Sequence, residues 1–243
     1  MVTNTALGGK VVAHTPILAL NSAFGKYKPE EERVVRNVKV KEDRVLRQLT
    51  GILRQVMPLW TDEELGIDME DPTSGIAWRG GPVTETVSRM TKNLRITSKD
   101  IERFSLATGE FQHEAGFAGA SGVLLSKLMA LSKESSHTIH TNHLDVLPKD
   151  LGCDNTKNVT INGDVGDEAG LDAHSGTLTI KGHAGDFCGW RMSGGAIIVK
   201  GNAGEDLGDM MEGGEIHVEG KIGSIGDVIH GKIFHKGKLI VDK

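Results

Sequence analysis

The chain has 243 residues, a formal net charge of −5, 38% hydrophobic residues and only 4% aromatic ones. The acidic balance and the lack of a sustained basic stripe argue against a nucleic-acid partner, and no run reaches the roughly 18 apolar residues of a membrane span. Two cysteines, Cys153 and Cys188, are too few for a disulfide framework and point to a reducing compartment, so the expected location is the cytoplasm.

Residues 1–29 mix glycine, proline and isolated apolar residues and read as an extended arm; the apolar stretch 11–20 holds His14 and Pro16 and lacks the cationic lead of a signal peptide. Over residues 42–57, Val45, Leu49, Ile52 and Val56 fall on one helical face, and Pro58 ends the helix. The run Thr-Asp-Glu-Glu at 61–64 is a capping-box signature for a short helix closed by Gly66, followed by a loop over 71–81. Pro82 suits the first turn of the next helix, with Val83, Val87, Met90 and Leu94 on one side. Ser98 is the expected cap of a helix carrying Ile101, Phe104 and Leu106 that stops by Gly109, and a last helix spans 121–134 with Leu124, Leu128 and Leu131 inward. So modest a core is near the limit of independent stability, and it is expected to pack on the rest of the chain or on a neighbour.

Two features of this part invite a chemical reading. The segment Gly116-Phe-Ala-Gly119-Ala-Ser-Gly122 precedes a helix, where backbone N–H groups can hold a phosphate. It matches neither the dinucleotide fingerprint nor the P-loop, and a glycine-rich entry to a packed helix is the preferred account. His137, His140 and His143, with Asp145 close behind, could take zinc or iron. The competing account is a polar linker rich in Ser, Thr and His.

Beyond residue 150 the chain repeats. Gly163, Gly182, Gly201 and Gly220 recur every 19 residues, as do Gly166, Gly185, Gly204 and Gly223, and then Gly170, Gly189 and Gly208. Each unit carries a short run with apolar residues at alternate positions, the signature of a strand with one buried face. Stacking the units puts Leu178, Ile197, Ile216 and Ile233 in one column and Ile180, Val199 and Val218 in the next. A 19-residue unit cannot bury that face alone, so the units must stack as coils of a β-solenoid, with rungs ~4.8 Å apart. The last unit is two residues short, and its Lys236 and Lys238 would blunt the open strand edge. The corner acids Asp167, Asp186 and Glu205 recur once per coil; calcium-binding solenoids have a shorter repeat, and a bond to local turn amides is the expected role.

The pattern G-x-x-G-x-x-x-G, at Gly163–Gly170, Gly182–Gly189 and Gly201–Gly208, with the pieces Met192-Ser-Gly-Gly and Met211-Glu-Gly-Gly, resembles the GXGXG domain. That domain is known from the C-terminal part of the large glutamate synthase polypeptide and from one of the separate polypeptides of formylmethanofuran dehydrogenase. The resemblance covers about residues 155–240, and the fourth unit (Gly223-Ser-Ile-Gly226) departs from it. It implies a right-handed β-helix that carries no catalytic group, whose corner glycines and inward columns keep neighbouring catalytic subunits in register. No N-terminal nucleophilic cysteine, no cysteine set for an iron–sulfur cluster, no G-x-S-x-G and no H-E-x-x-H are present.

The expected fold is therefore α+β, with a mainly α-helical region and arm over residues 1–150 and a single-stranded β-solenoid of 19-residue coils over 151–243. The expected role is a structural subunit of a multi-subunit oxidoreductase, with no cofactor in this chain and flavin, iron–sulfur or molybdenum/tungsten centres in its partners. The rivals are a metal-dependent enzyme built on the three histidines and a free-standing binding protein.

Overall fold

The computed structural model describes residues 43–60 and 81–243, so the expected arm, the capping box at 61–64 and most of the loop at 71–81 lie outside the described residues. Helix α1 (Arg44–Val56) is capped by Asp43, whose carboxylate accepts the amides of Val45 and Leu46 at 3.0 and 3.2 Å. It buries Leu49, Ile52, Leu53 and Val56, and Pro58 turns its end into a 3₁₀ segment, Met57–Leu59. Helix α2 (Pro82–Thr91) opens on Pro82 and buries Val83 and Val87.

Helix α3 (Ser98–Ala107) is capped by Thr97, one residue before the expected Ser98. Thr97 and Asp100 satisfy each other's amides in a capping box. Ser98 is thereby left to donate its hydroxyl to the Ser136 carbonyl at 2.6 Å. Leu106 is half exposed rather than inward, and a 3₁₀ turn carries the chain past Gly109. Helix α4 (Phe117–Leu131) starts earlier than expected, at Phe117, with Gly116 (φ +77°) before it, and its final Leu131 is exposed.

The remainder is a parallel β-solenoid. Strands β1 (Ser136–His140), β2 (Asn158–Asn162), β3 (Thr177–Ile180), β4 (Ala196–Val199), β5 (Glu215–Val218) and β6 (Lys232–His235) stack in sequence order, one strand per coil. Both expected columns form: Leu178, Ile197, Ile216 and Ile233 are in register, as are Ile180, Val199 and Val218. They also extend backward, through Val159 to His137 and through Ile161 to Ile139. The stretch that reads as a polar linker is thus the first rung. It escapes the glycine register because β1 pairs with β2 at an offset of 22 residues, against 19 for the next three pairs.

Both ends of the sheet are closed, by different means. An open strand edge exposes unpaired N–H and C=O groups and invites aggregation. At the first rung α3 supplies the missing partners. Ser98 donates to the Ser136 carbonyl and the His140 amide donates to Ser105 Oγ at 3.0 Å. At the last rung the chain reverses through Lys236 (φ +51°) and Gly237 (φ +75°) into antiparallel β7 (Lys238–Asp242). Positive φ at both central residues is the type I′ turn that matches strand twist. A bulge in the β6–β7 pairing, with Lys236 and Lys238 beside it, blunts the remaining edge. Lysine is poorly suited to that φ. Lys236→Asn should raise stability by roughly 0.5 kcal/mol or more, and a rise of about 1–2 °C in a calorimetric scan would show it.

The helices and the solenoid share one hydrophobic core. It runs without interruption from Leu49 and Phe104 through Leu124 and Leu151 to Ile197 and Ile233.

Candidate functional site

Eight of the nine described non-glycine residues with positive φ fall in two columns at the coil corners. One column is Asp150, Glu168, Phe187 and Asp206; the other is Asp154, Asp172, Arg191 and Met210. Between them stand Gly152, Gly170, Gly189 and Gly208, also at positive φ. A left-handed conformation costs about 1–2 kcal/mol in a residue with a side chain. Here it aims each amide at a carbonyl of the next coil: Glu168 to Asp186, Phe187 to Glu205, Asp172 to Trp190 and Arg191 to Asp209, at 2.8–2.9 Å. The central glycine has a further constraint, because a Cβ at Gly189 would lie 2.6 Å from Ile216 Cδ1.

The other two glycine columns work by close approach. A Cβ on Gly201 would lie 2.5 Å from the Gly182 carbonyl oxygen, and Gly185, Gly204, Gly220 and Gly223 sit on the coil before in the same way. Gly163 and Gly166 meet the Thr141–Asn142 turn and the Pro148–Lys149 loop of the first coil instead. These corner positions carry backbone contact and no chemistry of their own.

The acidic column is satisfied differently from expectation. Asp167 accepts the Asp186 amide at 3.1 Å and Asp186 accepts the Glu205 amide at 2.7 Å, each one coil further along. The bonds therefore tie coil to coil and do not close local turns. A second ladder of the same kind runs from Asp164 to the His183 amide, from His183 Nδ1 to the Asn202 amide and from Asn202 to the Lys221 amide, at 2.7–2.8 Å. Accepting that amide leaves the proton of neutral His183 on Nε2.

The three histidines are not brought together. His137 points into the solenoid, where it replaces an aliphatic residue in the first inward column, and its Nδ1 lies 3.0 Å from Ser98 Oγ. His140 faces outward on the same strand, 3.1 Å from Glu102 Oε1. His143 is exposed over Gly109, where an added Cβ would come within 3.0 Å of its ring. Strand alternation separates the first two, since residues three apart point to opposite faces. Among the described residues no group of three or more His, Cys, Asp or Glu is placed to hold a metal ion.

Buried His137 has an Nε2 without a partner among the described residues, and burial, with the positive charge of Lys157, lowers its pKa below the ordinary 6.5 despite the opposing pull of Glu134. The fold holds it neutral while the unfolded chain takes up a proton below that value. The His137 contribution to stability should thus fall as the pH drops through 6.5. In denaturation between about pH 7 and 5, His137→Leu should therefore gain stability relative to the parent as the pH falls.

The glycine-rich segment before α4 proves to lie inside it. An added Cβ on Gly119 would overlap the Trp60 ring, and one on Gly122 would overlap the Lys149 carbonyl oxygen. Gly119 lets α4 lie against Trp60, and Gly122 lets it lie flush on the first coil. There Lys149 N donates to the Ala118 carbonyl at 3.0 Å, while Ser126 Oγ donates to the Asp150 carbonyl and accepts the Gly152 amide.

Two features of this junction were not anticipated. Asp150 is 2% exposed, and its Oδ1 has no donor among the described residues. Glu168, its neighbour in the corner column, is half-buried. Burial, then the Glu168 charge, raises the Asp150 pKa well above the ordinary 3.8, and burial also raises that of Glu168. The second feature is a cleft of about 270 Å³ between α2, α4 and the first coil corner. Lys127 comes to it from α4 and Cys153 and Asp154 from the corner. A signal for both was available: Asp150-Leu-Gly152-Cys-Asp154 has the same layout as Glu168-Ala-Gly170-Leu-Asp172.

No helix among the described residues is long and apolar enough to cross a membrane. Comparison with family models, with curated proteins and with solved structures gives no match to this chain.

Proposed function

We propose that this chain is a non-catalytic structural subunit of a multi-subunit oxidoreductase, holding catalytic subunits at a fixed separation. The observation that carries this reading is the way the coils are joined. Backbone amides, the two side-chain ladders and glycine close approach tie each coil to the next, and the inward columns fill the interior. A rod built in this way resists bending and presents one long sheet face, which suits the alignment of partners more than the enclosure of a substrate. The likeness of its glycine pattern to the GXGXG domain gives the kind of partner, subunits bearing flavin, iron–sulfur or molybdenum/tungsten centres.

Affinity purification of the tagged full-length chain from its native host tests this. The expected result is stoichiometric recovery of larger subunits together with the optical or metal signature of such a centre. Recovery of the chain alone, with turnover of a substrate by the isolated polypeptide, would overturn it.

A further inference from the structure

We propose that the last coil of the solenoid takes an extended segment of a partner protein as one further rung, laid on its open side from Ile222 to Ile225. The inference rests on the scaffold reading, since it says where and by what kind of segment a catalytic subunit is held. On the strand side, β6 and β7 continue the stack beyond β5. On the side that follows β5, Ile222 is paired with Ala203 and Ile225 with Leu207 of the coil before, and among the described residues no further segment pairs with them. Ala203 and Leu207 are buried, whereas Ile225 is 39% exposed and Ile229 beyond it 45%.

The backbone on this side is as open as its side chains. In the coil before, the Ala203 and Leu207 amides donate forward to the Lys221 and Ser224 carbonyls at 2.9 and 3.1 Å. The Ile222 and Ile225 amides have no acceptor among the described residues, and their carbonyls receive no donor there. Unanswered N–H and C=O groups beside apolar side chains are a template for an added strand. A lipid surface would cover the isoleucines and leave these directional groups without partners, so the geometry favours a polypeptide.

Charge selects the kind of polypeptide. From residue 221 onward the chain holds five lysines against two aspartates, in a protein whose net charge is −5. Asp227 is paired with Lys243 at 3.9 Å, while Lys221, Lys236 and Lys238 make no ion pair among the described residues. These three stand at one corner, because His235 Nε2 donates to the Gly220 carbonyl at 2.8 Å and brings the β6–β7 turn beside Lys221. The side-chain ladder of Asp164, His183 and Asn202 also ends there. Each of those residues accepts an amide of the coil beyond, whereas the Lys221 ammonium can only donate. A carboxylate is its strongest acceptor. The incoming segment therefore alternates apolar residues and carries an acid against Lys221. A second copy would bring the same excess of lysine, and residues 1–42 hold seven Lys and Arg against four Glu, so neither answers the charge of this corner.

Photo-cross-linking and hydrogen exchange on the full-length chain test this. Benzoylphenylalanine replaces Ile225, or for comparison Thr160 on the outward face of β2, and the chain is irradiated in its native host. Position 225, and not position 160, is expected to join a co-purifying subunit through a segment of net negative charge with alternating apolar residues. In that complex the Ile222 and Ile225 amides should exchange at least about tenfold more slowly than in the chain by itself. Lys221→Glu combined with Lys238→Glu should cut the cross-linked yield about tenfold at an unchanged melting temperature. The inference is overturned, and the scaffold reading left standing, if subunits co-purify with no cross-link at position 225, or with unchanged yield in the charge-reversed variant. A cross-link to a second copy, to residues 1–42, to lipid or to a basic segment has the same meaning. Recovery of the chain with no partner overturns the inference, and substrate turnover by that chain overturns the scaffold reading as well.

Discussion

Ile197→Ala is expected to destabilise the protein by about 2–5 kcal/mol, toward the upper end of that range. Ile197 is 1% exposed on β4, in register between Leu178 and Ile216. Its Cδ1 reaches the corner, where it faces the Gly170 and Gly189 positions. Truncation removes methyl groups that touch the coil before and the coil after. The cost of a cavity depends on how far its walls can move inward. Here they cannot move far, because the distance between rungs is set by backbone hydrogen bonds on both sides of the strand. In chemical denaturation followed by circular dichroism the midpoint should drop clearly, and the melting temperature should fall by roughly 5–15 °C. Ile198→Ala, one residue on and facing out, should lose well under half as much. Equal losses at the two positions would mean that the register of the solenoid is wrong.

That register could be read from the sequence because two periods coincide in it, the alternation of a strand and the glycine spacing of a coil. The helices were legible for a similar reason: Leu49, Ile52 and Val56 repeat at helical spacing, and Pro58 and Pro82 mark boundaries. The first coil was not legible. Its rung begins Ser-His-Thr, with a polar residue in the inward position that the other rungs fill with Val, Leu or Ile, and its corner glycine, Gly152, falls one residue short of the 19-residue spacing of the glycine column. His137 can take an inward place because it lies at the end of the stack, where Ser98 of α3 reaches its Nδ1. The same spacing that suggests a metal triad is, in a strand, the spacing that sends neighbouring imidazoles to opposite faces. The helical glycines were misleading for a further reason. Their partners, Trp60 and the Lys149 carbonyl, are distant in sequence, and close approach between distant segments leaves no local pattern.

The largest pH effect should come from Asp150. Asp150→Asn is expected to stabilise the protein at alkaline pH and to remove most of the fall in stability that the parent shows as the pH rises. In the fold this carboxyl is enclosed and holds its proton to a higher pH, whereas in the unfolded chain it ionises near 3.8. Between that value and its raised value in the fold, the native state holds a proton that the unfolded state has lost. Stability is then greatest below 3.8 and declines as the pH climbs through the raised value. Glu168 adds a decline of the same sign from its ordinary 4.5. Among the neighbouring charges, Asp167 strengthens the effect and Lys149 opposes it, and Lys149 is already paired with Asp167 at 3.2 Å. An enclosed, unanswered carboxylate costs on the order of several kcal/mol, whereas Asn keeps the shape, tolerates the positive φ and carries no charge. Denaturation midpoints measured from about pH 5 to 9 should slope downward in the parent and run nearly level in Asp150→Asn, with the two curves closest at the acid end. His137 acts in the opposite sense, removing stability on the acid side of 6.5. The two buried groups stand at the two ends of the first coil, the rung at His137 and the corner at Asp150, and each is covered by a helix. Protonation of one and ionisation of the other both load the contact between helices and solenoid. Between the lowered value of His137 and 6.5 its loss on the acid side offsets part of the Asp150 decline, so His137→Leu should steepen the parent's downward slope over that range, and an unchanged slope would exclude this junction as its source.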